Sequence, residues 1–320
     1  MKKILVTGSA GQIGSELVPV LREKYGNENV VATIHRTIPP KEFLEAGPYE
    51  KISTTNREEL ASVIKKYNID TVFHLVGILS AVGEKKPDLA WEVNMESLKH
   101  VLDLAKEMNL KVFWPSSIAA FGPNTPKKET PQLTIMDPNT IYGITKYSGE
   151  LLCNYYFQKY GVDVRSVRYP GLISWKTPPG GGTTDYAVAI FYEALKNKKY
   201  TFFVRKDTVL PMMYMPDAIK AAIDIMEAPI EKIKTRLSYN LAAISFSAEE
   251  LAEEVKKYIP DLKYDFVPDE RQKIADSWPS SIDDSQARKD WHWEHKYGLA
   301  EMTKDMIANL KEKLAIPASK

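Results

Sequence analysis

The chain has 320 residues, with 43 Lys plus Arg against 42 Asp plus Glu, a formal charge of +1. At 44% hydrophobic and 27% charged it has the composition of an ordinary globular protein of about two domains. The balance excludes the strongly basic footprint of a nucleic-acid binder, and the single Cys153, read as a small core residue, excludes an internal disulfide or a cysteine-rich metal site.

The opening Met1-Lys2-Lys3-Ile4-Leu5-Val6-Thr7-Gly8 carries an apolar run too short for a signal peptide. No stretch approaches the ~20 apolar residues of a bilayer span, so a cytoplasmic protein without membrane contact is expected. Ile4–Val6 reads as a buried strand. Ser15–Tyr25 follows with helical spacing of Leu17, Val18, Val20 and Leu21. Val30–Ile34, Thr71–Val76, Val112–Trp114 and Val164–Tyr169 are predicted strands. Arg57–Tyr67, Trp91–Met108 and Tyr142–Tyr160 are predicted helices between them. Short apolar strands alternating with helices predict a Rossmann-type α/β fold, a doubly wound parallel sheet buried on both faces.

After Pro170 the pattern changes. Pro178-Pro179-Gly180-Gly181-Gly182 is turn-rich, Tyr186–Lys196 reads as a helix, and Arg236–Leu241 and Tyr264–Val267 as isolated strands. The expected division is a dinucleotide-binding domain over 1–170 plus about 208–230. A smaller α/β substrate-binding part covers about 171–207 and 231–320.

Gly8-Ser9-Ala10-Gly11-Gln12-Ile13-Gly14 is G-x-x-G-x-x-G between a predicted strand and helix. Such a turn lets backbone N–H groups and a helix N-terminus approach a pyrophosphate. An acid normally ends the second strand of such a unit and binds the adenosine ribose. Here Thr33-Ile34-His35-Arg36 has none, and a cation lies where a ribose phosphate would sit. A nicotinamide cofactor is expected, with NAD and NADP both open.

Tyr142-Gly143-Ile144-Thr145-Lys146 places Tyr142 and Lys146 on one helix face. A free Tyr titrates near ~10, and an adjacent ammonium stabilises its phenolate. Tyr and Lys at this spacing are by themselves a common surface pair. The pattern gains weight from Pro115-Ser116-Ser117, after the fourth strand, where a hydroxyl can hold a substrate oxygen.

Taken together, Gly8/Gly11/Gly14, Ser117, Tyr142/Lys146 and Asn94 on the middle helix resemble the extended short-chain dehydrogenase/reductase superfamily. Gly181-Gly182-Thr183-Thr184-Asp185-Tyr186-Ala187, Leu210-Pro211-Met212-Met213-Tyr214-Met215 and Ala275-Asp276-Ser277-Trp278-Pro279 narrow the resemblance to its L-threonine 3-dehydrogenase family, nearly end to end. The sequence departs from that family at Ile34 and Ser53, where acids are usual.

The resemblance implies NAD(P)-linked oxidation of L-threonine to 2-amino-3-oxobutyrate. Tyr142 would be the base and Ser117 would fix the substrate hydroxyl. Lys146 would hold the nicotinamide ribose and depress the Tyr142 pKa. Implied cofactor contacts are Gly8, Gly11, Gln12, Ile13, Gly14, Thr33, His35, Arg36, Leu75, Asn94, Lys146, Tyr169, Pro170 and Leu172. NAD is the cofactor the family implies, and NADP the one the missing acid suggests. Ser80, Ser117, Tyr142, Thr183, Thr184 and Trp278 are the implied substrate contacts. A homodimer through the helices around Trp91–Met108 and Tyr142–Tyr160 is also implied.

The five histidines show no metal-ligand spacing, so no metal is expected. The three methionines Met212, Met213 and Met215 read as core filling. Two rivals remain: a sugar-nucleotide epimerase or dehydratase on the same scaffold, and a non-catalytic cofactor-sensing protein. Joint retention of Ser117, Tyr142 and Lys146 argues against the second.

Overall fold

Successive residues of each central strand are buried in different cores. In the computed structural model, which describes residues 1–315, Ile4, Val6, Phe73, Phe113 and Val167 pack on one face with Leu17, Val18 and Leu21 of helix Gly14–Tyr25. Leu5, Val72, Val112, Trp114 and Val164 pack on the other. There they meet Leu60 and Val63 of helix Arg57–Lys66, and Leu98 and Val101 of helix Ser97–Met108. A strand apolar at every position is what a sheet covered on both faces requires.

The strands, in chain order, are β1 (Ile4–Thr7), β2 (Val30–Ile34), β3 (Tyr49–Lys51), β4 (Thr71–His74), β5 (Lys111–Ser117), β6 (Val164–Tyr169), β7 (Gly171–Ile173), β8 (Lys199–Phe202), β9 (Val209–Tyr214), β10 (Tyr239–Asn240), β11 (Ile244–Ser247) and β12 (Lys263–Phe266). The main sheet has the order β10-β6-β5-β4-β1-β2-β3, and its pairs are all parallel. From β1 the chain winds outward to β2 and β3, then returns to place β4 on the other side of β1. This reversal is the switch point at whose strand ends a ligand crevice opens. Gly8 follows β1 there and Leu75 follows β4.

The smaller sheets, β11-β9-β7 and β12-β8, belong to the C-terminal part. Their core holds helix Tyr186–Asn197 with Phe202, Leu210, Met212, Leu251 and Met306. Met212, Met213 and Met215 are fully buried, as core filling requires. The predicted strand Arg236–Leu241 shrinks to β10, which extends the main sheet beside β6 with Tyr239 opposite Val167. Ala287, Trp291 and Trp293 join the same core as β1. Segments expected in the smaller part thus complete the main sheet and its core.

The predicted helix Trp91–Met108 is interrupted. Glu92–Glu96 forms a π turn before helix Ser97–Met108 begins. Such a bulge re-aims one side chain, here the buried Asn94. The strand β3 has no apolar run and lies at the sheet edge, which is why the sequence pattern misses it. No helix of the described residues is long and apolar enough to cross a membrane.

Candidate active site

Helix Ile141–Tyr160 begins at Thr140, whose hydroxyl accepts the Gly143 N–H at 3.1 Å. Gly143 is needed for closeness. A Cβ there would lie 2.1 Å from the Ala119 carbonyl oxygen. The helix therefore rests directly on the turn Ile118–Ala120 that follows Ser117, and this brings Tyr142 against the Ser117 hydroxyl.

Burial pushes the Tyr142 phenol up to about 12, and its hydrogen bond with Ser117 pulls it back only in part. The same burial lowers the Lys146 ammonium to about 8, opposed by the electrostatics of Cys153 and Glu150. Lys146 Nζ donates to the Pro115 carbonyl at 2.6 Å and lies over the Trp114 ring. It stands 5.7 Å from the centre of the Tyr142 ring. The expected depression of the Tyr142 pKa is not met by these residues alone, whose net effect is to raise it.

Behind Lys146 lies a fully buried ion pair. Arg168 Nη2 and Nε donate to Glu150 at 2.7 and 2.9 Å, and both side chains are inaccessible. Ser116 Oγ donates to the same carboxylate at 2.5 Å. Arg168 Nη1 completes its bonding on Asn240 Oδ1 and the Gln132 carbonyl. Tyr142, Lys146 and Glu150 follow one another at i, i+4 and i+8, so one helix face carries all three.

His74 on β4 is held neutral, lowered by burial to about 3. Ser97 Oγ donates to the Val93 carbonyl, so His74 Nε2 donates to Ser97 at 3.0 Å and Nδ1 accepts from Thr7 at 2.7 Å. That assigns a structural role to this histidine. Among the described residues no group of three or more His, Cys, Asp or Glu could hold a metal ion.

Two cavities adjoin at the strand ends, both lined by Leu75 and Gly77. The larger, about 660 Å³, is lined by Gly8, Gly11, Thr33, His35 and Arg36. The smaller, about 160 Å³, is lined by Gln12, Ile13, Ser80, Ser117, Tyr142, Lys146, Tyr169, Pro170, Leu172, Thr183, Thr184 and Trp278. Most of the expected site residues therefore meet in one crevice. Gly14 and Asn94 do not line it. Gly14 lies inside the turn, where a Cβ would stand 2.4 Å from the Gly8 carbonyl oxygen. Asn94, expected as a cofactor contact, acts in the fold as a clamp. Its Oδ1 accepts the Ile78 N–H at 2.7 Å, and its Nδ2 donates to the Ile78 carbonyl and to Thr145 Oγ1. It ties the loop after β4 to helix Ile141–Tyr160. Tyr169 lines the cavity while its hydroxyl turns away to the Ala218 carbonyl at 2.6 Å.

Sequence reasoning missed Asp185. It lines the small cavity, and its Oδ2 accepts the N–H groups of Gly180, Gly181 and Gly182 at 2.6, 2.6 and 2.8 Å. Its place just before helix Tyr186–Asn197 suggests an N-cap, but it makes no cap bond to that helix. Instead it gathers the glycine strap.

The crevice fits a dinucleotide. Gly8 has φ +70°, and a Cβ on it would press the Leu75 and Val76 backbone at 3.0 Å. The turn therefore packs directly on the loop after β4, and its Gly8 and Gly11 line the larger cavity. Over residues 4–242 the chain matches the NAD dependent epimerase/dehydratase family. It belongs to that family.

One epimerase/dehydratase relative, an uncharacterized protein of Staphylococcus haemolyticus, is 50% identical over 98% of this chain and 99% of its own. The structure of L-threonine dehydrogenase from Clostridium difficile is 53% identical at a TM-score of 0.96, covering 98% of each chain. The holo form of a GalE-like L-threonine dehydrogenase from Cupriavidus necator is also 53% identical. Its TM-score is 0.93, over 97% of this chain and 100% of that one. As an epimerase/dehydratase family member with these neighbours, the chain is a nicotinamide-dependent oxidoreductase.

Proposed function

We propose that the chain oxidises L-threonine to 2-amino-3-oxobutyrate. The observation that carries this reading is the small cavity. It brings Ser117, Tyr142 and Lys146 together with a set of small polar side chains. Its lining matches a small zwitterion: hydroxyls of Ser80, Thr183 and Thr184, the Asp185 carboxylate for an ammonium, and Trp278 closing one side. The similarity to two L-threonine dehydrogenases points the same way.

The dinucleotide would be held by Gly8, Gly11 and Thr33 at one end and by Lys146, Tyr169, Pro170 and Leu172 at the other. When bound and oxidised, it supplies a hydride acceptor and a positive charge. Tyr142, as phenolate, takes the proton of the threonine β-hydroxyl. Ser117 Oγ hydrogen-bonds that oxygen as it becomes a carbonyl. Lys146 binds the nicotinamide ribose and adds positive charge behind Tyr142. The glycine strap over Pro179–Gly182, gathered by Asp185, excludes water. Initial rates with L-threonine and with L-allo-threonine test the reading. Turnover confined to L-threonine is expected, and no cofactor reduction with either epimer contradicts it.

We also propose that two copies pair through their exposed helix faces. Ile144, Leu151 and Tyr155 form one stripe of helix Ile141–Tyr160 and are 39%, 47% and 50% exposed, and Val82 and Trp91, on helices that contact this one, are exposed as well. An apolar stripe of this kind is unusual on a lone monomer. Light scattering is expected to report twice the chain mass, and Leu151→Glu to shift the protein toward the monomer.

A further inference from the structure

We propose that the adenosine end of the larger cavity is a 2′-phosphate site, so that this chain prefers the 2′-phosphorylated nicotinamide dinucleotide. The inference rests on the cofactor use described above and not on the identity of the substrate.

The strand β2 ends at Ile34, whose side chain lines the cavity and is 5% exposed. A carboxylate at this strand end would accept both hydroxyls of an unphosphorylated ribose and repel a phosphate. Ile34 does neither. The next two residues along the rim, His35 and Arg36, are exposed and line the same cavity. Arg36 forms no ion pair among the described residues. Its guanidinium is a two-pronged donor matched to phosphate oxygens.

The neighbouring strand end, after β3, carries hydroxyls. Ser53 Oγ and Thr55 Oγ1 share a hydrogen bond of 2.8 Å, which leaves one of the two with a hydrogen for another acceptor. The neighbouring acid, Glu59, is committed elsewhere. It accepts the Ser53 N–H at 2.8 Å and Asn56 Nδ2 at 3.0 Å. Of the described residues lining the cavity, Glu92, on the π turn, is the one carboxylate. The ribose end therefore combines an unpaired cation, spare hydroxyls and no acid at the strand end.

The test uses the intact chain and calorimetric binding rather than turnover. Adenosine 2′,5′-bisphosphate is compared with 5′-AMP, and NADP⁺ with NAD⁺. The phosphorylated member of each pair is expected to bind about tenfold tighter or better at low salt, and the gap to narrow as salt screens it. Arg36→Ala is expected to close most of the gap while leaving 5′-AMP affinity within about twofold. Ile34→Asp is expected to reverse the preference. Equal or tighter binding of 5′-AMP by the unaltered chain overturns the proposal, as does an equal loss of both ligands on Arg36→Ala. A chain that binds NADP⁺ tightly but leaves L-threonine untouched contradicts the proposed substrate alone. One that oxidises L-threonine but prefers NAD⁺ in binding contradicts this inference alone.

Discussion

Replacing Tyr142 by Phe is expected to lower kcat by about 100- to 10,000-fold, the usual worth of a positioned acid–base group. Cofactor affinity should stay nearly unchanged, because the ring remains and only a hydroxyl is lost. The pH profile separates this from a packing effect. Burial pushes the phenol up to about 12, so the base is formed by losing a proton. The rate should therefore climb with pH across the neutral range, while positive charge from Lys146 and the bound cofactor favours the phenolate. Lys146 is itself lowered to about 8, so its support fades as pH rises through that value and the climb should flatten. Residual activity of Tyr142→Phe should show no such climb. A variant with near-normal kcat and the same pH profile would remove Tyr142 from the chemistry.

The second large effect is on stability. Glu150→Ala leaves the Arg168 guanidinium buried without its anion, and loss of one partner of such a pair costs about 3–5 kcal/mol. For a chain of this size the melting temperature should fall on the order of 10 °C. Activity should fall as well, even at temperatures where the variant is folded. Ser116 donates to Glu150, and its neighbours Pro115 and Ser117 hold Lys146 and face Tyr142. Losing that anchor loosens both catalytic contacts at once. Replacing both partners by apolar residues, as in Glu150→Leu with Arg168→Met, should recover much of the stability, because no unpaired charge is then left behind. Melting curves of the two variants decide this. An unchanged midpoint for Glu150→Ala would show that the pair carries no net weight.

What the sequence made legible was periodic or local. The alternation of short apolar runs with helical spacing is read directly as the sheet and its two faces. The glycine turn and the Tyr142/Lys146 spacing are likewise contained within a few residues. Contacts between distant residues were not legible in the same way. The Glu150–Arg168 pair joins two elements whose charges, read singly, look like solvated surface. Asn94 sits at the position of a cofactor contact, yet a π turn directs its amide to Ile78 and Thr145. Asp185 has the chemistry of a helix cap and spends it on three glycines. The upward push on the Tyr142 pKa depends on how deeply the site is desolvated, which spacing does not encode. Edge strands with polar sequences, such as β3, are fixed by their neighbours rather than by their own pattern.

On the proposed function, hydride leaves the β-carbon of L-threonine in this crevice. L-threonine carrying deuterium at that carbon, incubated with the chain and oxidised cofactor, tests it most directly. Mass analysis of the reduced cofactor is predicted to show one deuterium, together with 2-amino-3-oxobutyrate or its decarboxylation product, aminoacetone. Reduced cofactor without deuterium, or no reduced cofactor with either NAD⁺ or NADP⁺, would contradict the account.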